Sequence, residues 1–142
     1  MLNKDVIAAL DIGPEVLDAL TARESLELTR REQAYRGDRH RPTLRGREVM
    51  LVDDGMATGA SMRAAVQAVQ AAGPSRVIVA VPVAAPEAIE SIGMDADEVV
   101  VVAQPNWLDG VGQWYDDFAQ TSDEEVRELL AEAAQTLKTD VR

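Results

Sequence analysis

The residues best suited to chemistry lie in one stretch, Val49 to Ser61, which reads V-M-L-V-D-D-G-M-A-T-G-A-S. Carboxylates only accept hydrogen bonds, so Asp53 and Asp54 suit the hydroxyl pair of a sugar rather than a phosphate. The loop that follows contains two glycines, and its backbone N–H groups before a helix would form an anion site. Thr58 and Ser61 add hydroxyl donors. The pattern therefore predicts a site for a sugar phosphate.

The same spacing also fits a tight strand-to-helix turn, in which Asp54 caps the helix and the glycines only turn the chain. Other phosphate motifs fit less well. A P-loop requires Gly-Lys-Ser/Thr, and no lysine occurs in this loop. A dinucleotide fingerprint requires G-x-G-x-x-G, which Gly55 to Gly59 do not match.

The elements that must position this loop are those of an α/β protein. Short apolar runs predict strands at 49–52, 77–81 and 98–102, and helices are predicted at 60–72 and 86–92. Strands that alternate with helices indicate a parallel sheet. Such a sheet is apolar on both faces, so three strands need cover from another segment, from further sheet or from a second subunit.

Two longer helices are predicted outside this core. One runs from Pro14 to about Tyr35, and its Glu27 is spaced to pair with Arg30 and Arg31. The other begins at the capping box Ser122–Glu125 and is expected to fold back through an apolar stripe. The stripe consists of Val126, Leu129, Leu130, Ala133 and Leu137.

The overall composition limits the classes of function. The 142 residues, 46% of them hydrophobic and 27% charged, have the balance of one globular domain. The absence of cysteine and the single histidine, His40, exclude disulfides, thiolate chemistry and a multi-histidine metal site. A net charge of −11 argues against a nucleic-acid partner. No secretory signal or membrane-spanning run is present, so we expect a cytoplasmic protein without a membrane partner.

The Val49–Ser61 stretch resembles the phosphoribosyl pyrophosphate (PRPP) motif of type I phosphoribosyltransferases, in which four apolar and two acidic residues precede G-x-x-T-G-x-S/T. Three further segments resemble a less characterised bacterial branch of those enzymes: Arg30–Gly37, Leu44–Arg47 and Gly112–Phe118.

The resemblance implies a Rossmann-like parallel sheet and an enzyme that binds PRPP with Mg²⁺. It would transfer the phosphoribosyl group to a nucleobase-like acceptor and release pyrophosphate. Asp53 and Asp54 would be the catalytic pair that holds the ribose hydroxyls, and no residue is assigned directly to the metal. The PRPP-binding set comprises these two together with Gly55, Met56, Ala57, Thr58, Gly59, Ala60 and Ser61.

Four of the five aromatic residues follow the third predicted strand, where a base would lie in this fold. The acceptor-binding candidates are Trp107, Trp114, Tyr115 and Asp116. The alternative is that the aromatic side chains, including Phe118, only pack the terminal helix against the sheet, and that Asp116 is simply solvated.

The resemblance also predicts one domain over residues 1–142 and an N-terminally shortened chain, because no pyrophosphate-binding segment precedes the motif. Within it, 1–47 would be a helical cover and connector, 48–104 the nucleotide-binding core, and 105–142 the base-side segment and terminal helix. The alternative function is a non-catalytic domain that binds PRPP, ribose phosphate or a nucleotide for regulation. A third possibility is a nucleotide-binding subunit that completes its sheet as a homodimer.

Overall fold

The computed structural model describes residues 7, 10–37 and 39–139, with side chains as far as residue 135. The helices are α1 (Pro14–Arg36), α2 (Ala60–Gln70), α3 (Pro86–Gly93) and α4 (Asp123–Thr139). The strands are β1 (Glu48–Val52), β2 (Arg76–Val83) and β3 (Glu98–Ala103), and a short 3₁₀ turn covers Val111–Trp114. The chain forms two compact units, residues 42–118 and residues 1–41 with 119–142.

The three strands of the 42–118 unit form one parallel sheet in the order β1-β2-β3. Val49 pairs with Val77 across the first ladder, and Val79 pairs with Val99 across the second. Helix α2 connects the first two strands, and helix α3 connects the second pair. The predicted α/β class with a parallel sheet is therefore confirmed.

Helices α2 and α3 cover one face of this sheet. They bury Met62 and Val66 from the first helix and Ala88 and Ile92 from the second. These side chains form one apolar cluster with residues of the central strand, namely Val77, Val79 and Val81. A fully buried aliphatic side chain contributes about 1.5–3 kcal/mol, so this face holds the unit together.

The opposite face of the sheet is largely exposed at its outer strands. Met50 is 58% exposed and Val52 71% on β1, while Val100 is 45% and Val102 87% exposed on β3. The central Ile78, paired with Met50, is buried. The cover expected on both faces of a parallel sheet is thus present on only one face in the described part of the chain.

The central strand does not end at Val81, as the apolar run at 77–81 predicted. It continues to Val83, and Val83 pairs with Ala103 of β3. The last pair with β1 is Val52 with Ala80, so Pro82 lies beyond the end of β1. A proline is tolerated there because strand β2 is locally an edge and can lack a ladder N–H.

The second unit contains helices α1 and α4, tied by polar contacts. The Tyr35 hydroxyl donates to Asp123 Oδ1 at 2.6 Å, and Arg30 Nη1 donates to Asp123 Oδ2 at 2.7 Å. The expected apolar stripe of α4 leaves Leu129 and Leu130 exposed, and Leu137 lies outside the described side chains. Among the described residues, no helix combines the length and the apolar character needed to span a membrane.

Candidate functional site

The carboxyl end of β1 leads directly into an open cavity of about 240 Å³. Its lining runs without interruption from Asp53 to Met62 and therefore contains every residue of the predicted PRPP-binding set. In open α/β sheets, ligands bind at the carboxyl ends of the strands. The structure thus gathers the whole predicted set around one cavity in the expected place.

Met56 anchors the middle of this loop to the sheet. Its side chain is buried, its N–H donates to the Val83 carbonyl at 2.9 Å, and its carbonyl accepts the Ala85 N–H at 2.9 Å. It also bridges to Ala84 in the parallel sense. Met56 therefore supports the cavity wall from behind, while Ala57 and Thr58 after it remain exposed.

The two carboxylates lie at the mouth of the cavity, and both are exposed. Asp53 Oδ1 accepts the N–H of Asp54 at 3.0 Å, which orients the first carboxylate. In the described part of the chain, no Lys or Arg forms an ion pair with either residue. The remaining oxygens can therefore accept hydrogen bonds from a ligand.

Helix α2 begins at this cavity with unsatisfied donors. Gly59 is its N-cap residue and has the left-handed conformation (φ 69°, ψ 4°) that favours glycine. Among the described residues, the N–H groups of Ala57, Thr58 and Gly59 have no backbone acceptor. The first turn carries no acidic residue, and the only local cap is a long contact in which the Ala60 N–H donates to Thr58 Oγ1 at 3.4 Å.

These contacts exclude the alternative in which Asp54 is merely a helix cap. Its carboxylate accepts no hydrogen bond from the helix N-terminus among the described residues, and Gly59 occupies the N-cap position. The helix instead presents orphan N–H groups and the positive end of its dipole. Such a terminus favours an anion, which agrees with the phosphate site predicted from the sequence.

The aromatic segment, residues 107–118 after β3, is only partly brought to this site. None of the four predicted acceptor-binding residues lines the cavity in the described structure. Trp107 is 81% exposed and donates its indole N–H to Asp109 Oδ1 at 3.1 Å. Trp114 and Asp116 are also exposed.

Tyr115 has a different position, which the sequence did not reveal. Its hydroxyl donates to the backbone carbonyl of Asp54 at 2.7 Å. Its ring also lies against Phe118, with 5.3 Å between the centroids. A tyrosine 61 positions away in sequence thus contacts the aspartate turn, and no local sequence pattern indicates this contact.

The metal-ligating potential of the site is limited to oxygen. No cluster of three or more His, Cys, Asp or Glu side chains occurs where the structure is described. Asp53 and Asp54 are the only acidic side chains that line the described cavity. Mg²⁺ is commonly held by one or two protein carboxylates together with substrate phosphates, so this donor set fits Mg²⁺ that arrives with a phosphorylated ligand.

The arginines near the end of α1 are paired with carboxylates of their own unit. Glu27 accepts hydrogen bonds from Arg30 and Arg31, and the two guanidinium groups lower the pKa of this carboxyl to about 2. Arg36 lies 3.4 Å from Glu32. The predicted pairing of Glu27 is thus confirmed, and it joins two exposed arginines, Arg30 and Arg31.

A family model described as the phosphoribosyl transferase domain matches residues 1–113, which include the whole cavity. The chain belongs to this family. The resemblance to phosphoribosyltransferases, first seen in the Val49–Ser61 motif, is thereby confirmed, and the match extends over residues 1–113.

Named relatives agree with this membership in the phosphoribosyl transferase family. Two Mycobacterium tuberculosis proteins, MT0597 of strain CDC 1551 / Oshkosh and Rv0571c of strain H37Rv, carry provisional names as phosphoribosyl transferases. Each is 40% identical over 133 residues, which are 94% of this chain and 30% of the relative. The chain therefore spans less than a third of the length of these relatives.

The crystal structure of TT1426 from Thermus thermophilus is also similar. It superposes with a TM-score of 0.73 and 45% sequence identity, covering 87% of this chain and 60% of that chain. This agreement confirms the phosphoribosyltransferase-type fold with its parallel sheet and terminal helix.

Proposed function

We propose that this chain binds PRPP with Mg²⁺ and transfers the phosphoribosyl group to a nucleobase-like acceptor. The observation that carries the proposal is the cavity of residues 53–62, where two carboxylates without ion pairs adjoin a helix N-terminus whose preceding loop has free N–H groups. A nitrogen of the acceptor forms the new bond to the anomeric carbon. The bond from that carbon to a pyrophosphate oxygen breaks, and pyrophosphate leaves with the electron pair.

Asp53 and Asp54 would hold the ribose. Both carboxylates are exposed at the end of β1, and as acceptors they match the 2′- and 3′-hydroxyls. The backbone bond from Asp54 to Asp53 Oδ1 limits rotation of the first carboxylate. A ribose held by these two acceptors is positioned for attack at its anomeric carbon, and positioning supplies much of the catalysis in such reactions.

The loop from Gly55 to Ser61 would hold the 5′-phosphate. The orphan N–H groups of Ala57, Thr58 and Gly59 supply donors, and the Thr58 and Ser61 hydroxyls supply more. The positive end of helix α2 adds attraction for a dianion. Met56 would contribute indirectly, because its backbone groups hold the loop on the sheet.

Bound Mg²⁺ would neutralise charge on the departing pyrophosphate. The chain's own contribution is to hold the sugar beside it through Asp53 and Asp54. On the acceptor side, Trp107 and Trp114 retain exposed rings on which a base could stack. Asp116 is the proposed acceptor for a base N–H.

A second function is favoured by the charge of the cavity. In the described structure, its lining residues include no lysine or arginine. Those residues would therefore bind a ribose phosphate more readily than a pyrophosphate. A domain that binds PRPP or a nucleotide for regulation, without transfer, remains the alternative proposal.

Calorimetric titration tests the site. We expect ribose 5-phosphate and PRPP to bind the chain, and Asp53→Asn with Asp54→Asn to weaken ribose 5-phosphate by at least about tenfold, since charge-assisted hydrogen bonds are lost. The matched control is Glu124→Gln with Glu125→Gln, an exposed acidic pair in the other unit that changes the net charge equally. Unchanged affinity in the aspartate variant contradicts the site assignment.

Pyrophosphate release separates the two functions. A transferase releases pyrophosphate when PRPP, Mg²⁺ and a suitable base are mixed, and a regulatory domain binds PRPP without releasing it. A panel of purine and pyrimidine bases, each compared with a sample without base, makes the assay independent of the acceptor's identity.

A further inference from the structure

We propose that Tyr115 is a positioning residue for the ribose-binding aspartates and not a stacking platform for the acceptor. This inference rests on the proposed function, since it concerns how the same cavity holds the ribose. It is carried by one hydrogen bond, from the Tyr115 hydroxyl to the Asp54 carbonyl at 2.7 Å.

The bond acts at a critical point of the loop. The Asp54 carbonyl belongs to the peptide that joins Asp54 to Gly55, so its direction sets where the loop leaves the carboxylate pair. The next residue with described backbone support is Met56, bonded to Val83 and Ala85. Tyr115 and Met56 therefore hold the two ends of a three-residue turn, and loss of either releases the aspartates.

The rest of the aromatic segment presses on the same turn. A Cβ on Gly55 would lie 2.7 Å from Val111 Cγ1 and 2.9 Å from the Val83 carbonyl oxygen. The turn is thus enclosed between the end of the central strand and the 3₁₀ turn that carries Val111. No side chain larger than hydrogen fits there without a shift of the wall.

Tyr115 is itself held by the segment in which it lies. Its ring contacts Phe118 at 5.3 Å between centroids, and a Cβ on Gly112 would lie 2.8 Å from Phe118 Cδ1. The contacts form a continuous path from the aromatic segment to the aspartate pair. Tyr115 is therefore held in place for its bond to the Asp54 carbonyl.

The test compares the two tyrosines of the chain. The Tyr115 hydroxyl donates to the backbone carbonyl of Asp54, and the Tyr35 hydroxyl donates to the carboxylate of Asp123. Tyr115→Phe removes the bond to the Asp54 carbonyl, and the control Tyr35→Phe removes the bond to Asp123 in the other unit. The ring contact with Phe118 is retained in the first variant. We expect Tyr115→Phe to weaken ribose 5-phosphate binding by about fivefold to tenfold, the typical effect of one hydrogen bond.

Inorganic phosphate provides the readout that a general loss of structure would not reproduce. It uses the loop donors and not the aspartates, so its affinity should change less than twofold in Tyr115→Phe. The Tyr35→Phe variant should bind both ligands as the unchanged protein does. Equal affinity of Tyr115→Phe and Tyr35→Phe for ribose 5-phosphate overturns the inference.

Amide hydrogen exchange keeps the inference testable without any ligand. We expect the Met56 amide of the unliganded protein, which donates to the Val83 carbonyl, to exchange faster in Tyr115→Phe than in Tyr35→Phe, and an equal rate overturns the inference. If the unchanged protein fails to bind ribose 5-phosphate, the proposed function fails, while the exchange rates still decide the role of Tyr115. A different outcome would refute only the role of Tyr115. In it, the unchanged protein binds ribose 5-phosphate, the variant Asp53→Asn with Asp54→Asn does not, and Tyr115→Phe binds it as well as the unchanged protein does.

Discussion

Two helices of this chain, α2 and α4, begin in opposite ways. Helix α4 carries three acidic residues in its first turn, and the Glu125 N–H donates to Ser122 Oγ at 3.2 Å. Helix α2 has no acidic residue in its first turn and no side-chain bond from its N-cap residue, Gly59. The N-terminus of α4 is thus compensated by neighbouring side chains in the sequence, whereas the N-terminus of α2 is left open.

The difference shows how the same physical feature serves two purposes. Every helix N-terminus has unpaired N–H groups and a positive dipole end. Where nearby carboxylates and hydroxyls compensate these groups, as at Ser122 and Asp123, the terminus stabilises the fold. Where glycine and small residues leave them uncompensated, as at Gly59, the terminus is available to an external anion.

The largest expected effect comes from Gly59→Ala at the open terminus. The φ of 69° is unfavourable for alanine by about 1–2 kcal/mol, although the new methyl would meet Ala88 and Ile92 only at ordinary contact distances of 3.5 Å. We expect urea denaturation to show that loss of stability, and calorimetry to show at least about tenfold weaker ribose 5-phosphate binding, because the loop N–H groups are displaced.

Gly46→Ala is the matched control for this variant. Gly46 has the same φ of 69°, and nothing lies within 4 Å of its added Cβ. It lies outside the lining of the cavity. The Gly46→Ala variant should lose a similar amount of stability and bind ribose 5-phosphate as tightly as the unchanged protein. Equal loss of binding in both variants would mean that strain, and not the geometry of the open terminus, explains the effect.

A smaller effect is expected when the open terminus is given its own anion. Ala60→Glu places a carboxylate on an exposed first-turn position, which should stabilise the helix by about 0.3–1 kcal/mol. The same charge repels a bound phosphate, so we expect ribose 5-phosphate to bind about fivefold more weakly at low salt. Calorimetry at two ionic strengths should show the difference shrinking as salt rises.

The neutral variant Ala60→Gln separates charge from size. It has nearly the same volume as the glutamate and should retain most of the affinity. If Ala60→Glu and Ala60→Gln bind alike, the helix terminus is not where the phosphate lies.

The smallest effect concerns the compensated terminus and its dependence on pH. Hydrogen bonds from Tyr35 and Arg30 lower the pKa of Asp123, and bonds from Arg30 and Arg31 lower the pKa of Glu27 to about 2. A carboxyl whose pKa is lowered by folding stabilises the folded state at pH values above its ordinary pKa, which is 4.5 for Glu27. This contribution is lost as the pH falls towards about 2. Because both groups are solvated, the effect is modest.

Urea denaturation at a series of pH values measures this contribution. We expect the urea concentration at the midpoint to decrease as the pH is lowered from 4.5 to 2. In Glu27→Gln this decrease should be smaller. Ribose 5-phosphate affinity at neutral pH should be unaffected in this variant. If the urea midpoint of Glu27→Gln depends on pH as strongly as that of the unchanged protein, the ion pairs of Glu27 do not stabilise the fold.

Much of the fold was predictable because its signals are local. Apolar runs place the strands within one or two residues of their observed ends, and the capping box places the start of α4. The candidate site was predictable for the same reason. Asp53, Asp54 and the loop after them form one continuous stretch, so a single motif contains every residue of the cavity lining except Met62.

The sequence by itself thus determined the parallel α/β pattern and the carboxylate pair at the end of the first strand, since each depends on neighbours along the chain. Tertiary structure alone decided that Tyr115 contacts Asp54, that Val111 closes over Gly55, and that Val102 is exposed on the sheet. The physical reason is that burial and long-range contact depend on which surfaces meet in space. Strand and helix periodicity records only the local part of that information.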